Sequence, residues 1–142
     1  MVGGDGTLHD VINGIFIQKE VPTTEVQVAV IAVGTGNDWI RMFGLPKNYS
    51  EAIRAIKEGY TFLQDVGEVE YEESMYRQTR HMANVAGMGF DAVVNKTYQH
   101  AKMKGRTRRG TYLWCMMRSF VKHKSTGVKI WVDDKLIYNN LI

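Results

Sequence analysis

The chain has 142 residues and a mass of 16.2 kDa; 44% of its residues are hydrophobic, 23% are charged, and the formal net charge is +3 with a pI near 9.0. This composition is that of a globular protein and excludes a disordered chain. One cysteine, Cys115, excludes an intrachain disulfide framework, no Cys/His spacing matches a zinc site, and neither an apolar run of ~18 residues nor a signal peptide is visible, so a reducing, cytoplasmic setting with only peripheral membrane contact is expected.

The chain opens on Met1-Val2-Gly3-Gly4-Asp5-Gly6-Thr7, followed by the helical spacing Leu8, Val11, Ile12, Ile15, which predicts a helix over residues 8–18. Three glycines let the backbone approach an anion and turn its N–H groups toward it, and the helix N-terminus behind them adds partial positive charge. Asp5 is the unusual member, because a carboxylate beside a phosphate repels it unless a metal ion or a proton in transfer lies between. The bland alternative is a tight turn in which Asp5 caps the helix.

Pro22 lies in the crossover to Val26, and the β-branched run at residues 25–33 predicts a strand over 26–33, buried on both faces as in a parallel sheet. It stops at Gly34-Thr35-Gly36-Asn37-Asp38, before a short helix from Trp39 that Gly44 and Pro46 end. Two glycine-rich loops, each bearing an aspartate and each preceding a helix, are expected to line one crevice at the carboxyl ends of neighbouring strands. Ser50 is the expected N-cap of a helix over 51–58, which Gly59 ends.

Beyond Gly59 the pattern becomes that of an antiparallel hairpin: Asp65, a strand from Val66 to Tyr71, a polar turn at 72–74, and a returning strand over 77–85. Ala86-Gly87-Met88-Gly89-Phe90 turns into a helix over 91–102, a basic segment follows at 104–109, and a second helix over 111–123 is expected to turn Leu113, Met116, Met117, Phe120 and Val121 to a core. A strand over 127–133 follows, and Asp133-Asp134-Lys135 is expected to turn into Leu136 to Tyr138. Lys96, Lys102, Lys104, Arg106, Arg108, Arg109, Arg118, Lys122 and Lys124 crowd one stretch, which is either a solvated face or a patch for an anionic surface. A nucleic-acid role lacks the aromatic stacking pattern it would need.

Taken in order, Gly3-Gly4-Asp5-Gly6-Thr7, Gly34-Thr35-Gly36-Asn37-Asp38, Asp65-Val66-Gly67 and Asn84-Val85-Ala86-Gly87-Met88-Gly89-Phe90-Asp91 resemble the diacylglycerol kinase catalytic domain family, which includes bacterial lipid kinases and is related to sphingosine and ceramide kinases. The resemblance extends over essentially the whole chain. It implies an α/β fold: residues 1–64 as the C-terminal part of an incomplete parallel-sheet, ATP-binding domain, and 65–142 as the first part of a β-rich, sandwich-like lipid-binding domain with inserted helices. The chain is accordingly expected to be an internal fragment, inactive alone, with the later Mg²⁺ loop and a further candidate base beyond Ile142.

By the same resemblance, ATP phosphates are expected on Gly3, Gly4, Asp5, Gly6 and Thr7, and the nucleotide also on Gly34, Thr35, Gly36 and Asn37. Asp38 and Asp65 are expected near Mg²⁺, and Asp5 is the nominated proton acceptor. Helix capping stays open for Asp38, and a strand-ending turn for Asp65. Asn84 is read as a structural hydrogen-bonding residue, and the four histidines are given no role. The implied reaction is transfer of the γ-phosphoryl group of ATP to a lipid hydroxyl, most simply diacylglycerol to phosphatidate, at the inner membrane face, with Lys104, Arg106, Arg108 and Arg109 drawing the protein to anionic lipid. The oligomeric state is left open. The competing readings are an NAD kinase-like phosphotransferase, which shares Gly-Gly-Asp-Gly, and a nucleotide-binding regulatory protein without turnover.

Overall fold

Strand β1 (Val2–Gly3) and strand β2 (Ile31–Ala32) pair in parallel, Val2 opposite Ile31 and Gly3 opposite Ala32. The computed structural model describes residues 1–105, 110–122 and 125–141. By their internal contacts they form two units, Met1–Ala86 and Gly87–Ile142. The fold is mixed α/β, with three two-stranded sheets among the described residues.

In the first unit, helix α1 (Asp5–Ile17) follows β1 after one residue, starting three residues earlier than its apolar spacing indicates. The helix stops where Gln18 turns extended (ψ 151°), and the Gln18 side chain holds the exit by accepting from the Glu20 and Val21 amides. A 3₁₀ turn at Thr23–Glu25 leads into the run expected as an eight-residue strand. Only Ile31–Ala32 is laddered, because a strand is a strand only where a partner exists and β1 is two residues long. Val28 and Val30 nevertheless pack, half-buried, on the core formed by Leu8, Trp39 and Ile40. That core lies directly behind the two glycine loops, so apolar burial fixes the helices that those loops begin.

Helix α2 (Asp38–Met42) supplies Trp39 and Ile40, and Phe43 continues the cluster with tilted ring contacts, its centroid 4.9 Å from Trp39 and 4.8 Å from Phe62. Helix α3 (Tyr49–Glu58) is capped by Asn48, whose side chain accepts from the Ser50 and Glu51 amides at 2.9 and 3.3 Å. Ser50 therefore lies inside the first turn and Asn48 takes the capping place expected of it. Gly59 ends the helix at φ +73°, the left-handed conformation that glycine adopts without a Cβ penalty. Strands β3 (Gly67–Glu73) and β4 (Tyr76–Met82) form an antiparallel hairpin closed by Ser74 and Met75, both at positive φ. This hairpin follows the expected division at residue 64, yet it packs on α1 and belongs to the first unit.

The second unit contains α4 (Phe90–Met103), α5 (Gly110–Lys122) and a hairpin of β5 (Gly127–Val132) and β6 (Lys135–Leu141) turning at Asp133 and Asp134. The two helices meet through small side chains: Ala101, Cys115 and Ser119 are buried with Val94, and the Ser119 hydroxyl donates to Thr97 Oγ1 at 3.2 Å. This contact corrects the expected core face of α5. Because Cys115 and Ser119, one turn apart, meet α4, Leu113, Met117 and Val121 are left exposed and Met116 half-buried, while Phe120, also largely exposed, touches α4 only edge-on at Phe90, with ring centroids 6.1 Å apart. Of the basic segment, Lys104 is exposed just after α4; Arg106, Arg108 and Arg109 lie outside the described residues.

Candidate functional site

Parallel pairing brings the ends of β1 and β2 side by side, and the Val33 amide donates to the Gly3 carbonyl at 3.1 Å, carrying the pairing into both loops. The loops then touch. A Cβ built on Gly4 would sit 3.0 Å from the Gly34 Cα, and one built on Gly34 would sit 2.7 Å from the Gly4 Cα and 2.5 Å from Asn37 Oδ1. Real Cβ atoms essentially never come closer than 3.0 Å to another heavy atom, so glycine at 34 is a requirement of the approach. Asn37 takes the left-handed conformation (φ 54°), and its Nδ2 donates to the Gly34 carbonyl at 2.6 Å, closing the second loop on itself. Its Oδ1 is buried with no donor among the described residues.

The two helix starts are treated differently. Gly4 is the N-cap of α1 and provides no side chain, so the first-turn amides of α1 are uncapped by any side chain. An uncapped N-terminus of a 13-residue helix behind a glycine turn is suited to an anion. The carboxylate that opens α1 goes elsewhere: Asp5 Oδ2 accepts from the Asp38 amide and Oδ1 from the Trp39 amide, each at 3.1 Å. Asp5 thus caps α2 across 33 residues of sequence, occupying the second helix start and leaving the first open.

Asp38, free of a capping duty, pairs with Arg41 at 3.0 Å on the exposed face of α2. Asp5 Oδ2 and Asp38 Oδ2 lie 3.0 and 3.6 Å from the Cβ position of Gly36, so the structure brings these two carboxylates together. Asp65 is exposed, and no hydrogen bond or ion pair joins it to Asp5 or Asp38. No cluster of three or more His, Cys, Asp or Glu side chains suited to a metal occurs among the described residues. A close protein cage for a metal is therefore not formed there. The pair beside Gly36 fits instead the habit of Mg²⁺, which takes one or two carboxylates, substrate phosphates and retained waters. Thr7 and Gly6 are exposed on the first turn of α1, with Thr7 Oγ1 packed over Gly3, and Thr35 is exposed on the second loop.

Two residues absent from the expected set belong to the surroundings of the loops. Gln64 accepts from the Trp39 indole at 2.9 Å, and its amide donates to the Ala83 carbonyl. Asn13, 4% exposed in the middle of α1, takes both backbone groups of His81: it donates to the carbonyl and accepts from the amide, each at 2.9 Å. The signals were present in the residues: an indole in a core needs an acceptor, and an asparagine inside an apolar helix pattern runs against helix propensity.

Residues 1–69 match the diacylglycerol kinase catalytic domain family. The diacylglycerol kinase of Staphylococcus carnosus is 34% identical over 143 residues, covering 100% of this chain and 42% of that protein. The diacylglycerol kinase of Bacillus subtilis is 29% identical over 142 residues, covering 99% of this chain and 42% of that protein. The diacylglycerol kinase of Mycobacterium tuberculosis is 31% identical over 96 residues, covering 67% of this chain and 28% of that protein. The chain thus spans less than half the length of these curated relatives. No solved structure matches it.

Proposed function

This chain belongs to the diacylglycerol kinase catalytic domain family, and from that premise we propose that the protein transfers the γ-phosphoryl group of ATP to a lipid hydroxyl, with diacylglycerol the simplest acceptor and phosphatidate the product. The observation that carries the proposal is the contact of the two glycine loops, with the uncapped start of α1 beside them. On this reading residues 1–64 are the C-terminal part of the ATP-binding domain, and 65–142 the first part of a β-rich lipid-binding domain.

Phosphoryl transfer asks little covalent chemistry of a protein and depends on positioning and charge neutralisation. Gly3, Gly4, Asp5, Gly6 and Thr7, in the loop and the first turn of α1, would receive phosphate oxygens, with Gly34, Thr35 and Gly36 closing the opposite side. Asn37 Oδ1, a buried acceptor without a protein donor among the described residues, is open to a hydroxyl or a water. Mg²⁺ would supply neutralisation of charge on the phosphates, held through water by Asp38 and Asp5, with Asp65 as a further carboxylate of the same network. Asp5 is nominated to accept the hydroxyl proton. Each of its oxygens accepts one backbone bond and retains acceptor capacity.

No helix among the described residues is long and apolar enough to cross a membrane. We infer peripheral approach to the cytoplasmic lipid face through Lys104, Arg106, Arg108 and Arg109, each worth about 1 kcal/mol near an anionic surface. Radiolabelled ATP supplied to the intact protein with a panel of lipid alcohols and NAD tests the reaction. Label should appear in phosphatidate and disappear in Asp5→Ala; label in NAD phosphate, or in no acceptor, contradicts the proposal.

A further inference from the structure

The helices that begin at the two glycine loops are joined twice, once at their starts and once far behind them. At the front, Asp5 of α1 accepts from the first amides of α2. Behind, the Trp39 side chain of α2 donates to Gln64, and Gln64 donates to the carbonyl of Ala83, the residue just after β4. Two residues earlier, within β4, the His81 peptide group is held on both sides by Asn13, which lies on α1 about 12 Å along the helix from Asp5. The hydrogen bonds close a ring that starts and ends on α1.

Each link behind the loops is of a kind that fixes position rather than merely adding stability. Asn13 presents donor and acceptor to one peptide as a neighbouring strand would, so it fixes both the height and the rotation of α1 against β4. The His81 ring reinforces the fit by stacking on Phe16 of α1, with centroids 4.5 Å apart and planes at 25°, while its Nε2 lies 3.2 Å from Glu68 Oε2. A buried amide with both ends satisfied has one low-energy placement, because any shift leaves polar groups without partners.

We propose that Asn13 and Gln64 are positioning residues for the glycine-loop site: through His81 and Ala83 they set α1 and α2 in one register, so that the two loops meet at the spacing a triphosphate requires. The nucleotide part of this rests on the function proposed above; the mechanical part does not. Neither residue touches the loops, and each acts through the strand end that they share.

Amide hydrogen exchange on the nucleotide-free protein and calorimetric titration with ATP test the proposal, using Asn13→Leu, Gln64→Met and the double variant. Asn13→Leu should speed exchange at Asp38 and Trp39, which it does not contact, and Gln64→Met should speed exchange at His81. Each single variant should weaken ATP binding about tenfold, and the double variant by less than the product of the two, because a ring cut once is already open. Asn13→Asp, which retains the acceptor for the His81 amide, should recover part of the loss. Unchanged exchange at Asp38 and Trp39 in Asn13→Leu overturns the proposal. If that variant fails to fold, unchanged exchange at His81 in Gln64→Met overturns it. A wild-type protein that does not bind ATP, with exchange still coupled around the ring, sinks the nucleotide reading and leaves the brace standing.

Discussion

The loop at residues 3–7 and the loop at residues 34–38 have similar composition and different roles. Both follow a strand, both are rich in glycine, and both carry an aspartate at the helix start. The first begins a helix of 13 residues and leaves its N-terminus uncapped; the second begins a helix of five residues whose N-terminus is filled by Asp5. The carboxylate of one loop satisfies the helix of the other. One helix start is thereby left without a side-chain cap, and both loops are locked to one geometry. Similar motifs need not do similar work, and which loop binds an anion is decided by what already occupies each helix end.

The contact between the loops is the most fragile part of this arrangement. Gly34→Val forces a Cβ against the Gly4 backbone and Asn37, and the loops must separate. Phosphoryl transfer should slow about 100-fold, the scale of a misplacement near 1 Å, as read with radiolabelled ATP on folded protein. An unchanged rate would mean that the loops do not act together.

Next in size is Asp5. Asp5→Ala removes the cap of α2 and should lower stability by about 1–2 kcal/mol in chemical denaturation. Asp5→Asn keeps one acceptor oxygen for those amides and should recover part of that stability without recovering activity. Equal activity in the Asp5→Asn variant and the wild-type enzyme would reduce Asp5 to a cap. The smallest effect belongs to the exposed pair on α2: Arg41→Ala should change stability by less than about 0.5 kcal/mol, because solvent screens the ion pair. Asp38→Ala should be as mild for stability yet reduce the Mg²⁺ dependence of phosphoryl transfer, which separates a surface ion pair from a metal-side carboxylate.

The local parts of this structure are legible in the residues. Glycine turns before helix patterns, the left-handed Gly59 and the polar hairpin turns all depend on a few neighbouring residues, and they are found close to where the sequence places them. What depends on distant partners is not legible. Sequence alone makes Asp5 a cap for its own helix or a group on phosphate, and its partner is 33 residues away. Asn48 rather than Ser50 caps α3, a shift of two residues that spacing alone does not resolve. The apolar spacing of α5 places Leu113, Met116, Met117, Phe120 and Val121 toward a core, but periodicity does not say which face meets a neighbour; the small residues Cys115 and Ser119 are the buried ones, and most of the expected face is exposed. Asn13 and Gln64 escape a sequence reading because their partners, His81 and Ala83, are 68 and 19 residues away.

Whether the two glycine loops form one phosphate site is decided by titrating ATP into isotopically labelled protein and following the amides by NMR. The resonances of Gly4, Gly6 and Thr7 and those of Gly34, Thr35 and Gly36 should shift together along one saturation curve, while Gly59 stays still. Shifts confined to one loop, or two loops titrating with different affinities, would contradict a shared site.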